Sequence, residues 1–525
     1  MRSKKLTTGK VYNDYDQIIE RVERWINEKS PNVWNCDGGD VKARLAQRIV
    51  ELSCDAYAEL VATRVDQLGQ ALPCSPSAII VGGLKISTDT GAVVVLPRLW
   101  IRHIMLFAAT WGHLLLLMLI AIFRRSPTCS ISATFLMEAG GGYEECDGRL
   151  VRFCRQGPIT PLRSAKRIIV RASSAALNPT DSSFCYVKHP LAHLITTQLQ
   201  RWHKVTVVAQ HLLVPLVFFR ALFASPISVL IARDISYIPV VRWLDQRALI
   251  DSIVITTSSF TSQPLWMKGL RDQRFKLHMI WYSQNFIPKV YVGEEERSNL
   301  PSARHMRVDV HWVWTEGFKV FLQRLGQASD VNVVGPILWY LPENIQNLGG
   351  PPLKVAIFDV TPLPDGHRPF GALKNYYTVS LMQKFVNDVV DVCKKLENVS
   401  GKEVLILLKH KRKPKIGHHA SGYIEFIDRM ISENNNLILL DYEINLFGLL
   451  RECVFSVSVP YTSTAYVAAE LGKPSIYYDP FGELIPNYEQ SEFVNFASSP
   501  KELRSLVGAY CNINLNIEPP VVEGG

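Results

Sequence analysis

Between residues 166 and 480, short apolar runs alternate with longer stretches whose apolar residues recur at helical spacing. The runs are KRIIVRAS, DSIVITTSS, KLHMIWYSQN, VDVHWVWT and VNVVGPILWY. After a break rich in Gly and Pro at 340–352 they resume as KVAIFDVTP, EVLILLKHK, NLILLD, VFSVSVP and PSIYYDP. Parallel strands need long crossovers, usually helices, so this alternation predicts an α/β chain with parallel sheets. The restart after the break predicts two Rossmann-like lobes, at 166–340 and 353–525. A chain of 525 residues is also too long for one ordinary core.

The remaining sequence frames these lobes. Residues 1–100 read as a self-contained helical region, with VGGLKISTDTGAVVVL near its end as a hairpin or two short strands. Residues 101–165 hold an apolar helix and a connecting segment. Within it, 104–123 is about as long as the ~20 residues that span a bilayer, and it lies between Arg98 and Arg102 on one side and Arg124 and Arg125 on the other. This run spans a membrane, lies in its interface, or is buried between lobes. A second run, 208–232, contains Arg220, Pro215 and Pro226 and reads as an amphipathic or buried helix pair. The glycines of MEAGGGYEECDG lack the spacing and strand-to-helix setting of a dinucleotide loop, so a flexible turn is expected there.

The 57 Lys and Arg against 48 Asp and Glu leave a net charge of +9, which suits anionic ligands or an anionic membrane face. The one dense basic run is KHKRKPK, without the exposed aromatics of a nucleic-acid binder, so no nucleic-acid partner is expected. Ten scattered cysteines form no CxxC pair or zinc-spaced set, which predicts reduced thiols in a cytoplasmic protein. The polar N-terminus has no apolar core of a secretory signal.

Ligands of open parallel sheets bind beyond the carboxyl ends of the strands, so the chemistry is sought there. Thr462, Ser463 and Thr464 follow VFSVSVP and open the next helix, where backbone N–H groups, the helix dipole and hydroxyls converge in a way that suits a phosphate. The competing reading is an ordinary N-cap. Lys409, Lys411 and Arg412 follow a strand aimed at the same edge and suit a phosphate's charge; alternatively they form a solvated basic turn. Glu316 and Asp359 at strand ends are the candidate catalytic carboxylates, beside readings as a helix-start acid and a turn holder. Gln284 and Asn285 are candidate substrate contacts, and His278 is a candidate base or a satisfied core histidine. No DxD-like pair falls at a strand end, so no catalytic metal is expected.

VPYTSTAYVAAELGKPSIYYDP, KVAIFDVTP, LLKHKRK, VVGPILWY and QPLWMKGLRDQRFKLHMIWYSQN resemble the blocks of the bacterial surface-polysaccharide biosynthesis proteins named for a PFTS motif, with Pro460-Tyr461-Thr462-Ser463 standing where that family has Pro-Phe-Thr-Ser. The resemblance covers roughly residues 166–480. It implies a two-lobed GT-B glycosyltransferase that binds a nucleotide sugar in its second lobe and a glycan or lipid-linked acceptor in its first, at the inner membrane. Many enzymes of that fold that use uridine nucleotides carry a glutamate where this chain has Val467, which leans the donor toward a CMP-activated acidic sugar. A sugar-nucleotide epimerase on the same scaffold and a non-catalytic polysaccharide-binding or assembly module are the alternatives. No cofactor beyond the nucleotide sugar as co-substrate is implied.

Overall fold

The computed structural model describes residues 8–30, 32–33, 36–63, 71–73, 85–87, 93–95, 101–123, 131–137, 147–171, 181–198, 201–256, 263–281, 283, 287–294, 305–326, 330–337, 352–362, 376–411, 413, 419–442, 444–487, 489 and 494–515. Two helices, Thr8–Lys29 and Gly38–Thr63, come first. A small sheet follows, with β1 (Ala71–Pro73), β2 (Lys85–Ser87) and β3 (Val93–Val95) in the order β1-β3-β2. The expected hairpin is the antiparallel pair of β2 and β3, to which β1 adds in parallel. The helical region is not self-contained. Arg44 pairs with Asp234 at 2.9 Å, both about nine-tenths buried, and thereby ties Gly38–Thr63 to the helix Ala232–Gln246. Asp234 also accepts from the Leu265 N–H, so the buried charge is paired and hydrogen-bonded, the condition for tolerating it in a core.

The first large sheet contains β4 (Ala133–Leu136), β5 (Ile168–Arg171), β6 (Phe184–Val187), β7 (Ile250–Thr256), β8 (Lys276–Ile280), β9 (Val310–Val313) and β10 (Asp330–Val333). Its order is β10-β9-β8-β7-β4-β5-β6, and every neighbouring pair is parallel. Read from β4, this is the doubly wound order in which strands two and three lie to one side of the first and strands four onward to the other. The sheet therefore starts before residue 166, inside the segment assigned to the apolar helix and its connection. Its first strand, ATFL, is only four residues long and does not stand out in the sequence. The glycine run at 140–142, read as a flexible turn, lies outside the described residues.

The second sheet contains β11 (Leu353–Phe358), β12 (Val404–Lys409), β13 (Leu437–Leu440), β14 (Phe455–Ser458), β15 (Ser475–Tyr478) and β16 (Asn495–Ala497). The order β13-β12-β11-β14-β15-β16, all parallel, repeats the doubly wound pattern. Strands covered on both faces read as unbroken apolar runs, and β11, β14 and β15 are buried along nearly their whole length. The crossover helix Val379–Ser400 shows how the sequence encodes one layer. Thr378 caps it by accepting from the Leu381 N–H, and Leu381, Phe385, Val389, Cys393 and Leu396 are its buried stripe. Gly401 ends it at φ 64°, a conformation that costs glycine nothing.

The chain divides into two units, Met1–Tyr282 with Ser298–Val313 and Leu322–Val334, and Ser283–Arg297 with Trp314–Phe321 and Gly335–Gly525. Each unit holds one of the large sheets.

Candidate functional site

At the centre of the second sheet β11 pairs with β12 on one side and β14 on the other. This is the point where the strand order reverses, and a crevice opens beyond the carboxyl ends at such a point. Three chain segments meet along this edge: Asp359 to Thr361 after β11, Lys409 to Lys411 through the end of β12, and Val459 to Ser463 after β14.

Asp359 is 1% exposed. Its Oδ2 accepts from His410 Nδ1 at 2.6 Å and from the Tyr423 hydroxyl at 2.7 Å. Burial, with Asp359 beside it, holds the Tyr423 hydroxyl protonated far beyond its ordinary value. Asp359 Oδ1 and Thr361 Oγ1 are buried and, among the described residues, meet no hydrogen-bond partner. Orphaned buried acceptors are costly, about 1–3 kcal/mol each, so two together at a strand end call for an explanation other than packing. A carboxylate bonded to imidazole Nδ1 fixes the tautomer and leaves Nε2 as the nitrogen that exchanges protons. His410 thus completes a dyad that the sequence reading missed, because it stands between Lys409 and Lys411 in what reads as a charge run.

The lysines divide by role. Lys409 Nζ donates to the Tyr442 carbonyl at 2.6 Å, and burial lowers its pKa while Asp359 and Asp441 act in the opposite direction. Lys411 is exposed. Arg412, Gln284 and Asn285 lie outside the described residues.

The turn after β14 is shaped by Tyr461. Its φ is 66°, a left-handed conformation that is a true outlier for a bulky aromatic residue and persists only where the surroundings over-determine it. They do so here. The ring packs against Tyr477 and Phe496, and its hydroxyl donates to the Ile485 carbonyl at 3.0 Å and accepts from the Asn487 N–H at 3.2 Å. The turn delivers the chain into the helix Ser463–Glu470. Thr462, its N-cap, accepts no hydrogen bond from the helix N–H groups; its hydroxyl donates instead to the Val459 carbonyl at 2.9 Å. Thr464 Oγ1 lies 2.9 Å from Ser458 Oγ and 3.2 Å from Thr462 Oγ1. Two of the three hydroxyls therefore brace the turn, and the half-buried Ser463 hydroxyl has no partner among the described residues.

A further cation stands behind the same turn. Lys289 Nζ sits 4.8 Å from the centre of the Tyr377 ring, whose hydroxyl donates to the Pro460 carbonyl at 3.2 Å. Burial lowers the Lys289 pKa to about 8. No motif surrounds Lys289, and the contact bridges 88 sequence positions, so nothing local in the sequence signals it.

Glu316 faces solvent. It occupies the first turn of the helix Glu316–Arg324, is 64% exposed and pairs with Lys319 at 3.3 Å, while Thr315 caps the helix by accepting from the Phe318 N–H. His278 lies within β8, where its Nδ1 accepts from Trp312 Nε1 at 3.3 Å and burial lowers its pKa to about 4, the environment of a neutral core histidine.

The family model described as polysaccharide biosynthesis PFTS motif protein matches residues 217–507, more than half of the chain. No curated protein matches. Among solved structures, the wall teichoic acid polymerase TagF (H548A) aligns at 12% identity and TM-score 0.38, over 79% of this chain and 90% of that one. UDP-GlcNAc 2-epimerase from Methanocaldococcus jannaschii aligns at 10% identity and TM-score 0.38, over 74% and 94%. The lipopolysaccharide outer core galactosyltransferase WaaB aligns at 12% identity and TM-score 0.34, over 72% and 95%. Likenesses at this level carry no argument about activity.

Proposed function

The chain belongs to the polysaccharide biosynthesis PFTS motif family, and we propose that it is a glycosyltransferase that moves a sugar from a nucleotide sugar to a glycan or lipid-linked acceptor. The observation that carries this reading is the convergence, at the switch point of the second sheet, of the His410–Asp359 dyad with a braced turn that presents the Ser463 hydroxyl and a helix N-terminus. Glycosyl transfer requires the departing nucleotide phosphate to be held and its charge stabilised, and these are the groups suited to that work. Ser463 and the first-turn N–H groups bind the phosphate, Lys289, Lys409, Lys411 and Arg412 supply positive charge, and His410 donates a proton or hydrogen bond to the leaving oxygen. Asp359 positions His410. Glu316, exposed at a helix start, is the candidate base for the acceptor, and Gln284 and Asn285 are candidate acceptor contacts. The donor is a CMP-activated acidic sugar, in line with Val467 where uridine-specific enzymes of this kind carry a glutamate. The work takes place at the cytoplasmic face of the inner membrane, with 104–123 in contact with lipid.

The test is a panel of CMP-, UDP-, CDP- and GDP-sugars, read by thermal shift and by nucleotide release with and without acceptor glycan. Stabilisation and release with CMP-sugars support the full reading, and preference for another nucleotide corrects the donor. Binding without release, or conversion of the donor to its epimer, overturns the transferase assignment.

A further inference from the structure

The helices Ile101–Phe123 and Arg201–Leu212, with the following Val214–Ala224, lie side by side in the first unit. Trp111 Nε1 donates to the His211 carbonyl and His211 Nε2 meets the Trp111 carbonyl, both at 3.0 Å, while the Phe107 and Phe218 rings stack 4.1 Å apart. Each helix has two unlike faces. Phe107, Leu114, Met118 and Ala121 are buried on one side of the first helix. On the other, Met105, Leu116, Ile120 and Phe123 are 66, 56, 43 and 87% exposed. At 3.6 residues per turn these two sets fall on opposite sides of the helix. Trp202, Leu216 and Phe223 extend the exposed apolar surface across the neighbouring helices at 81, 67 and 85% exposure. Large apolar side chains exposed in this number on packed helices mark a contact site rather than an ordinary protein exterior.

Charge identifies what covers it. Neither 98–125 nor 201–224 contains an Asp or Glu, and besides the fully buried Lys204 they hold Arg98, Arg102, Arg124, Arg125, Arg201 and Arg220. A second basic group borders the apolar face at the carboxyl ends of two adjacent strands. Arg171 ends β5 in register with Val187, and Lys188 and His189 directly follow β6. The His189 ring meets His113 of the first helix edge-on at 5.7 Å. Arg233 belongs to this group as well: partial burial and then His113, Arg171, Lys188 and Arg233 hold the pKa of His189 below its ordinary value. Arg171, Lys188, His189, Arg233 and His113 are all exposed.

We propose that this two-helix face lies in the plane of an anionic phospholipid leaflet, its apolar side chains among the acyl chains and Arg171, Lys188, His189 and Arg233 at the lipid phosphates. Lying in the plane is favoured over spanning by the packing of Ile101–Phe123. A helix of this length is about 35 Å long, enough to cross a bilayer. Its buried side, however, packs along Ala232–Gln246, a helix with Arg233, Asp234, Arg242 and Asp245 that is built into the first unit's core. Spanning would carry these charges into hydrocarbon, whereas an amphipathic helix in the interface leaves them within the folded unit, outside the acyl chains. The break before Val214, with Pro215 in the first turn of the next helix, suits a surface element and interrupts what would otherwise be a second span. This mode of attachment deepens the membrane reading given above and does not depend on sugar transfer.

The test is flotation of the full-length protein with vesicles of phosphatidylcholine, alone or mixed with phosphatidylglycerol. The expected result is flotation on the mixed vesicles, at least roughly tenfold weaker binding to neutral ones, and release by alkaline carbonate without detergent. Leu116→Glu with Phe219→Glu should abolish flotation. Lys188→Glu with Arg233→Glu should remove the preference for phosphatidylglycerol. All four positions are exposed, and circular dichroism confirms that the variants fold. Retention after carbonate until detergent is added overturns the in-plane mode while keeping the protein at the membrane. Failure to float on any vesicle overturns membrane attachment altogether, and equal binding to neutral and anionic vesicles overturns the phosphate role. Sugar transfer, measured on soluble acceptor, stands or falls separately.

Discussion

His410 Nδ1 lies 2.6 Å from Asp359 Oδ2, although the two residues close different strands and are separated by 51 positions. In the proposed transfer the pair acts as a unit, with the carboxylate setting the tautomer of the imidazole and the imidazole performing the proton work. His410→Ala and Asp359→Asn should each lower donor turnover by about 10²-fold or more, the scale of a positioned general acid. The double variant should be no worse than the weaker single variant, because parts of one device do not contribute additively. Nucleotide-release rates, with unfolding midpoints as the control for folding, check this. Losses that multiply in the double variant would dissolve the dyad.

Ser463 and Thr464 should separate binding from stability. Ser463→Ala removes a hydroxyl without a partner among the described residues, so the unfolding midpoint should hold while nucleotide binding weakens by about 1.5–3 kcal/mol, the worth of a hydrogen bond to a charged group. Thr464→Ala removes contacts to Ser458 and Thr462 and should instead lower stability by about 1–3 kcal/mol. Ser463→Asp sets a carboxylate against the phosphate and should fold but no longer bind. Calorimetric titration beside thermal unfolding reads all three, and normal nucleotide binding by Ser463→Asp would reject the phosphate assignment.

Lys289 gives a pH signature. In the folded chain it loses its proton at about 8, against an ordinary 10.5, so between these values the unfolded chain binds more protons and stability rises with pH. Below that window the charged lysine opposes folding, and an anionic ligand offsets that cost. Lys289→Met should therefore raise the unfolding midpoint at pH 7, flatten its rise between about 8 and 10.5, and weaken nucleotide binding at pH 7. Wild-type affinity should fall as pH passes through about 8. A binding profile flat across that range and unchanged by the substitution would remove Lys289 from the site.

The two strand-end lysines should behave differently. Lys411→Ala, at an exposed position, should reduce the salt dependence of nucleotide binding, because screening acts on solvent-facing charges. Lys409→Ala should lower stability through the lost bond to the Tyr442 carbonyl. Equal salt slopes for wild type and the Lys411 variant would return that residue to a solvated turn.

The sequence disclosed what is local and periodic. Strands β11 to β15 are apolar runs between helices, and Asp359, Lys409 and Ser463 could be singled out as candidates because strand ends can be read from such runs. β4 and β16 are four and three residues long, too short for a period to register. His410 was hidden by its lysine neighbours, Tyr423 lies 64 positions from the carboxylate it serves, and Lys289 reaches its ring only through the fold. Spacing along a chain cannot report contacts of that range. The turn at Tyr461 gave a partial signal. Its hydroxyls were visible, but not that two of them brace the turn and leave one free.

The route of the chain between its two units bears on how such a protein can be inherited. Residues 283–297 and 314–321 precede the Gly- and Pro-rich break, yet they belong with the second sheet. There Tyr291 forms a β-bridge with Leu484, and the Trp314 ring stands edge-on to Tyr466 of the helix Ser463–Glu470. A recombination event that cut the gene at the break would give the downstream half a second sheet missing two of its packing partners, and leave those partners stranded upstream. The two halves of the gene are therefore coupled by packing that crosses the break.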